Sequence, residues 1–100
     1  MTMLNLYSIF DRKAVSYAPP FVAVNDSVAC RMSLASAMGE QNMLADYPAD
    51  FDVYCLGNLD QESGRITPLN TPVFVVNFAA LLQQAQRAPD EQSVLSAVKA

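Results

Sequence analysis

The segment from Phe51 to Ile66, FDVYCLGNLDQESGRI, constrains the fold more than any other part of this chain. Its first half is rich in β-forming residues, and the two-residue period of a strand places Val53 and Cys55 on the face opposite to Tyr54. Its second half has turn chemistry, because an aspartate bonds readily to nearby backbone and Gly64 can adopt the left-handed conformation of a turn. The segment predicts a two-stranded hairpin whose core-facing residues are Val53, Cys55, Leu59 and Ile66.

Further strands are needed, because a lone hairpin is only marginally stable in water. In Met3–Phe10, the residues on both faces of the predicted strand have large side chains. This is typical of a strand that is covered on two faces or lies at an interface. Residues 14–17, 21–24 and 73–76 predict shorter strands. Pro19 and Pro20 exclude a helix and central sheet pairing, so an extended connector is expected there. Residues 67–72 contain two prolines and are expected to be irregular or to lie at a sheet edge.

Two helices are predicted, each after an asparagine that can cap it. The first begins after Asn25, runs to about Met38 and ends at Gly39 as its C-cap. The second runs from Phe78 to about Arg87 with one amphipathic stripe, Phe78, Leu81, Leu82 and Ala85. This order of elements predicts an α+β fold, in which an antiparallel sheet of about four to five strands has two helices packed on one face. A single domain is expected over residues 1–88, and residues 89–100 predict a C-terminal tail or a short helix.

The first predicted helix is apolar around most of its circumference. Its purely polar arc is narrow and consists of Asp26, Ser33, Ser36 and Glu40. A chain this short has little sheet with which to cover so much apolar surface. We therefore expect self-association into a homo-oligomer through one stripe of this helix, formed by Val28, Met32, Ala35 and Met38. The apolar fraction of 52% and charged fraction of 16% fit such an interface, but they also fit a compact monomer with few surface charges.

Composition excludes several kinds of catalytic and metal site. The chain has no histidine, so a His-based triad and a Cys/His zinc site within one chain are ruled out. Its three glycines are isolated and form no phosphate-binding loop. Asp50 and Asp52 alternate onto one face where a strand begins, and we interpret them as a solvated end that blunts a sheet edge rather than as a metal or acid–base pair. No cofactor, metal or enzymatic activity is expected.

Aromatic and basic residues are interleaved near the first strand and in the hairpin. Proteins that bind single-stranded nucleic acids stack the bases on aromatic rings and hold the phosphate backbone with cationic side chains. The candidate nucleic-acid-binding residues are Tyr7, Arg12, Lys13, Tyr17, Tyr54 and Arg65. In the alternative interpretation, Tyr7 and Phe10 belong to the core and Arg12-Lys13 is a solvated turn. A net charge of −4 argues against binding dominated by phosphate neutralisation.

The expected location is the cytoplasm. The N-terminus has no basic region ahead of an apolar stretch, as a secretory signal would have. No apolar run approaches the length of a membrane-spanning helix. The acidic balance also disfavours attachment to anionic membranes, so no membrane association is expected.

Two stretches, LYSIFDRKAVSYAPPFVAVNDSVACR and the hairpin FDVYCLGNLDQESGRI, resemble the small non-structural protein of the gokushovirus-type microviruses, which are single-stranded DNA phages of bacteria. Family members share the patterns L-Y-S-I-x-D, F-x-A-x-N-D-x-x-A-x-R and D-x-Y-x-L-G-x-x-D-x-x-T/S-G, and the resemblance covers about Leu4 to Val76. It implies a non-enzymatic DNA-binding accessory protein in the host cell cytoplasm. Such a protein binds single-stranded DNA, the phage or host replication complex, or both, and favours single-stranded genome synthesis and packaging over duplex DNA replication.

The family supplies no site motif that transfers residue by residue. The alternative function is a protein–protein adaptor that self-associates through its apolar helix and has no affinity for nucleic acid.

Overall fold

A computed structural model of the chain describes residues 3–37 and 43–85. Within these residues, five strands form one antiparallel sheet: β1 (Met3–Asp11), β2 (Ser16–Tyr17), β3 (Phe21–Ala23), β4 (Phe51–Asp60) and β5 (Ile66–Asn77). The order across the sheet is β2-β1-β4-β5, and β3 pairs with the same side of β1 as β2 does. The predicted α+β class and number of strands are confirmed.

The two predicted helices begin where the sequence places them. Helix α1 spans Asp26–Ser36, and the backbone N–H of Val28 donates to Asn25 Oδ1 over 2.9 Å. A short helix α2 spans Met43–Asp46 and is followed by a 3₁₀ turn at Pro48–Asp50. Helix α3 occupies residues 78–85, with Asn77 Oδ1 accepting from the Ala79 N–H over 3.0 Å. The predictions for Met38, Gly39, the end of the second helix, the domain boundary at 88 and the segment 89–100 lie outside the described residues.

The core lies on one face of the sheet, beneath α1 and α3. One cluster joins α1 to the sheet and contains Tyr7, Ala23, Ala29 and Val53. A second cluster joins α3 to the sheet and contains Ala37, Phe51, Phe78 and Leu81. Ile9 packs against both clusters, so the two helices share this face, which we call the helix face. The opposite side is the open face.

Helix α1 faces the sheet with a different side from the one that its apolar pattern suggests. Ser33, assigned from sequence to the polar arc, is buried, and its hydroxyl donates to the Ala29 carbonyl over 2.9 Å. That bond within the helix satisfies the hydroxyl, so a serine can lie in the core at little cost. The predicted self-association stripe is divided, because Val28 packs against the core while Met32 and Ala35 are exposed.

The hairpin is formed by β4 and β5, as predicted. Asp60 Oδ1 accepts the backbone N–H of Glu62 over 2.9 Å, and Gly64 has a φ of +76°, the left-handed conformation that the turn requires. Val53 is fully buried on the helix face and Cys55 packs beside it. The prediction that Ile66 faces a core is wrong, because β5 is an edge strand and its residues 66–74 are all exposed.

Within residues 3–37 and 43–85, no helix has the length and apolar character needed to cross a membrane.

Candidate nucleic-acid interface

Four aromatic side chains cross the open face of the sheet, one from each of four neighbouring strands. Phe10 of β1 lies 4.7 Å from Tyr17 of β2 and 6.1 Å from Tyr54 of β4, measured between ring centroids. Tyr54 in turn lies 5.7 Å from Tyr17 and 5.8 Å from Phe74 of β5. We call these four residues the aromatic row.

Strand alternation places the aromatic row on the open face. Phe10 follows Ile9 in β1, and Tyr54 follows Val53 in β4. Ile9 and Val53 belong to the core beneath the helices, and successive side chains of a strand point to opposite faces. Phe10 and Tyr54 therefore point away from the helices.

The outer members of the row are the more exposed ones. Tyr17 is 44% and Phe74 is 53% exposed, while Phe10 and Tyr54 between them are half-buried. Tyr54 meets each of its three ring neighbours nearly edge-on, with interplanar angles of 78° to 87°. Edge-to-face contacts are a favourable arrangement for aromatic pairs. The row is therefore a continuous aromatic surface, partly open to solvent, on which flat ligands can stack.

An ion pair tied to the strands lies beside the row. Arg12 Nε donates to Asp52 Oδ2 over 2.9 Å, and Arg12 Nη2 donates to Asp52 Oδ1 over 3.1 Å. Asn77 Nδ2 donates to the same Oδ1 over 2.8 Å. Asp52 is only 4% exposed, whereas the Arg12 side chain is 52% exposed. The two-pronged bond fixes the guanidinium and leaves its outer edge open to solvent.

The interpretation of Asp52 as a solvated strand end is wrong, because its carboxylate is buried and paired. Burial by itself would raise the pKa of Asp52, but the hydrogen bonds from Arg12 and Asn77, together with the Arg12 charge, hold it below its usual value. The bond to Asp52, followed by the charges of Asp52 and Asp50, raises the pKa of Arg12. Asp52 is thus a buried structural carboxylate, and it neutralises the cation next to the aromatic row.

The structure brings together three of the six predicted nucleic-acid-binding residues. Tyr17 and Tyr54 belong to the aromatic row, and Arg12 binds Asp52, the β4 residue that pairs with Phe10 of the row. Lys13 lies in the exposed turn after β1, where its backbone N–H donates to Asp11 Oδ1. Arg65 flanks the hairpin turn, which follows Asp60. Asp60 lies six steps along β4 from Tyr54, a distance of about 20 Å.

Tyr7 does not belong to the interface. It is fully buried on the helix face, as the alternative interpretation held. Its hydroxyl donates to Asp26 Oδ1 over 2.7 Å and accepts from Asn5 Nδ2 over 3.0 Å. Burial, followed by the bond to Asp26, raises the pKa of Tyr7 to about 12. No base can stack on a ring in this position.

Sequence reasoning missed Phe74 and did not include Phe10 among the candidate site residues. Leu59 of β4 pairs with Ile66 of β5. If the two strands continued in regular register from that pair, Thr71 would lie opposite Tyr54, but Phe74 lies there instead. The difference of three residues arises from the register shift between Cys55 and Gly57. A hint was present in the two prolines of residues 67–72, which disfavour regular pairing, but they do not specify the size of the shift.

The described part of the chain forms no obvious metal centre. Within residues 3–37 and 43–85, no three Cys, Asp or Glu side chains are grouped closely enough to hold a metal ion.

Comparison with known proteins gives a family match and a similar phage protein. Residues 4–81 match the family model described as Phage ORF5 protein. The chain is 34% identical over 74 residues to "Protein ORF5" of Chlamydia phage 1, an alignment that covers 70% of this chain and 77% of the relative. No solved structure matches the chain. The matched range contains the whole aromatic row and the Arg12–Asp52–Asn77 group.

Proposed function

Since the chain belongs to the Phage ORF5 protein family, we propose that it is a non-enzymatic accessory protein that binds single-stranded DNA on the aromatic row. The expected resemblance to a small phage protein of the gokushovirus type is confirmed by the family match and by the phage relative. In this proposal the protein acts in the host cytoplasm, where it favours single-stranded genome synthesis and packaging.

One observation carries the proposal: the aromatic row lies on a sheet face that the helices leave uncovered. Unpaired bases stack on such rings whatever their sequence, because every base has a flat π face. In a duplex the base faces are already stacked on one another and cannot reach a flat protein surface without being unpaired. The site therefore favours single strands over duplexes.

The electrostatics of the site limit how the strand is held. The chain has a net charge of −4, and Arg12 beside the row is paired with Asp52. A guanidinium has five N–H donors, so the outer edge of Arg12 can still donate to a phosphate or a base. Its charge is largely compensated, however. Stacking must supply most of the binding free energy.

The decisive experiment measures fluorescence anisotropy of a labelled single-stranded oligonucleotide with Tyr17→Ala and Phe74→Ala variants. Loss of one stacked base costs about 1–3 kcal/mol, so each variant should bind about 5- to 150-fold more weakly. Tyr47→Ala is the matched control, because Tyr47 is 59% exposed but lies outside the row. A duplex of the same length tests the preference for single strands.

The results separate the proposal from its alternative. Weaker binding in both row variants with unchanged binding in Tyr47→Ala supports the aromatic row as the site. Equal binding by all three variants would reject this site. If the wild-type chain binds no single-stranded DNA even at low salt, the DNA-binding proposal is rejected. The acidic net charge then favours the protein–protein adaptor. An adaptor that contacts phage replication or capsid proteins would then be tested by pull-down of those proteins.

A further inference from the structure

The two edges of the sheet are built differently. One edge consists of β2 and β3, which have two and three residues and are joined through Pro19 and Pro20. Short strands and prolines protect an edge from pairing with another chain. The other edge is β5, which has twelve residues, and within residues 3–37 and 43–85 its outer side has no neighbouring strand.

Backbone chemistry defines what can occupy the outer side of β5. Unpaired N–H and C=O groups along a strand are completed by another extended strand. Pro68 and Pro72 lack an N–H, and the register with β4 is shifted between Pro68 and Val73. The second half of the strand, Val73–Asn77, is therefore the part that can pair. A further shift at Val75 keeps the paired segment short, so pairing should be weak and reversible.

The edge itself suits a second copy of this chain as the occupant. A net charge of −4 makes two copies repel each other, and pairing along β5 adds no charge to the contact. The sequence of β5, ITPLNTPVFVVN, has no charged residue. Antiparallel pairing of a strand with its own copy has two-fold symmetry, so the same patch serves both partners and the assembly closes as a dimer.

We propose that Val73–Asn77 at the outer edge of β5 pairs with the same segment of a second copy. Phe74 is the last member of the aromatic row and lies on this edge strand. Pairing at the edge would therefore join the rows of two copies into one continuous surface. This consequence for DNA rests on the proposed function, whereas the dimer itself does not.

Analytical ultracentrifugation over a wide range of protein concentration tests the dimer with two matched variants. Val73→Lys places a charge on the edge, where Val73 is 53% exposed. Met32→Lys makes the same kind of change on α1, where Met32 is 42% exposed. We expect the wild type and Met32→Lys to approach about twice the chain mass of 10.9 kDa as concentration rises. We expect Val73→Lys to stay at the mass of one chain.

Other outcomes overturn the proposal. If Met32→Lys is the monomeric variant and Val73→Lys still dimerises, association runs through α1, as its apolar pattern suggests. If the wild type remains a monomer at millimolar concentration, the edge does not pair. Circular dichroism melting of both variants verifies that each is folded. We expect both to fold, because Met32 and Val73 are exposed and their replacement leaves the core unchanged.

The DNA consequence is tested separately with short and long oligonucleotides. A dimer with joined rows should prefer an oligonucleotide that reaches both rows over one that reaches a single row, by about tenfold or more. Val73→Lys should lose this length preference while still binding the short oligonucleotide. A chain that dimerises without binding DNA would reject the proposed function alone, and a monomer that binds DNA would reject the edge pairing alone.

Discussion

Asp52 illustrates how the surroundings of a single residue decide its role. Its sequence position at the start of a strand is typical of a solvated carboxylate, but it is buried and receives hydrogen bonds from Arg12 and Asn77. These donors come from the turn after β1 and from the last residue of β5. The carboxylate thus joins three parts of the chain beside the aromatic row.

Replacing this carboxylate tests its contribution to stability. Asp52→Asn removes the charge that Arg12 binds, and loss of a hydrogen bond to a charged group costs about 1–3 kcal/mol. We expect the free energy of unfolding in urea at neutral pH to fall by that amount. Asp46→Asn, a change at an exposed carboxylate of α2, should have little effect.

The same variant should alter the pH dependence. Because the pKa of Asp52 is lowered on folding, its contribution is present above the unfolded pKa of about 3.8 and is lost as pH falls through the lower folded value. The wild type should therefore lose more stability than Asp52→Asn between neutral pH and about pH 3. Equal losses in the two proteins would contradict this role for Asp52.

At the scale of elements, the pairing of β4 with β5 depends on two glycines for different reasons. A Cβ atom at Gly57 would lie 2.9 Å from Pro68 Cα and still closer to the backbone of Thr67. Gly64 has open space around it but a φ of +76°, which most side chains disfavour. Close approach of two strands governs the first position, and backbone conformation governs the second.

Substitutions at the two glycines should separate these causes. Gly57→Ala forces β5 away from β4 and should lower the free energy of unfolding by about 2 kcal/mol or more. Gly64→Ala should cost about 1 kcal/mol, and Gly64→Asn less, because asparagine tolerates the left-handed conformation. Chemical denaturation of the three variants provides the comparison. A harmless Gly57→Ala would mean that the two strands are not in close contact at this point.

At the scale of the whole molecule, charge determines how DNA binding should respond to salt. A protein with a net charge of −4, whose cation beside the site is paired with a carboxylate, can neutralise about one phosphate. Binding to single strands weakens with salt in proportion to the number of phosphates neutralised. A phosphate-dominated binder would neutralise several.

We therefore expect the affinity for a single-stranded oligonucleotide to fall less than about threefold between ~50 and ~200 mM salt. In Asp52→Asn, Arg12 loses its carboxylate partner and can neutralise a phosphate. The slope of log affinity against log salt concentration should therefore become steeper by up to about 0.7. Anisotropy titrations at several salt concentrations measure both values. A wild-type slope several times steeper would show that phosphate contacts, and not stacking, dominate binding.

Local chemistry in the sequence determined the elements of this protein. The asparagine caps of α1 and α3, the aspartate and glycine of the hairpin turn and the alternation in β1 and β4 each act over only a few residues. For that reason they could be predicted without knowledge of the rest of the fold. Tyr17, Tyr54 and Arg12 were also identified as candidate site residues, because aromatic and basic side chains are visible in any sequence.

Only the tertiary structure decided which of these residues meet. Arg12 and Asp52 are 40 positions apart, and Phe74 faces Tyr54 because a register shift moves the pairing of β4 and β5 by three residues. Burial of Tyr7 follows from which face α1 covers, and the exposure of Ile66 follows from the edge position of β5. These outcomes depend on strand pairing and packing between distant segments, which a local pattern does not encode.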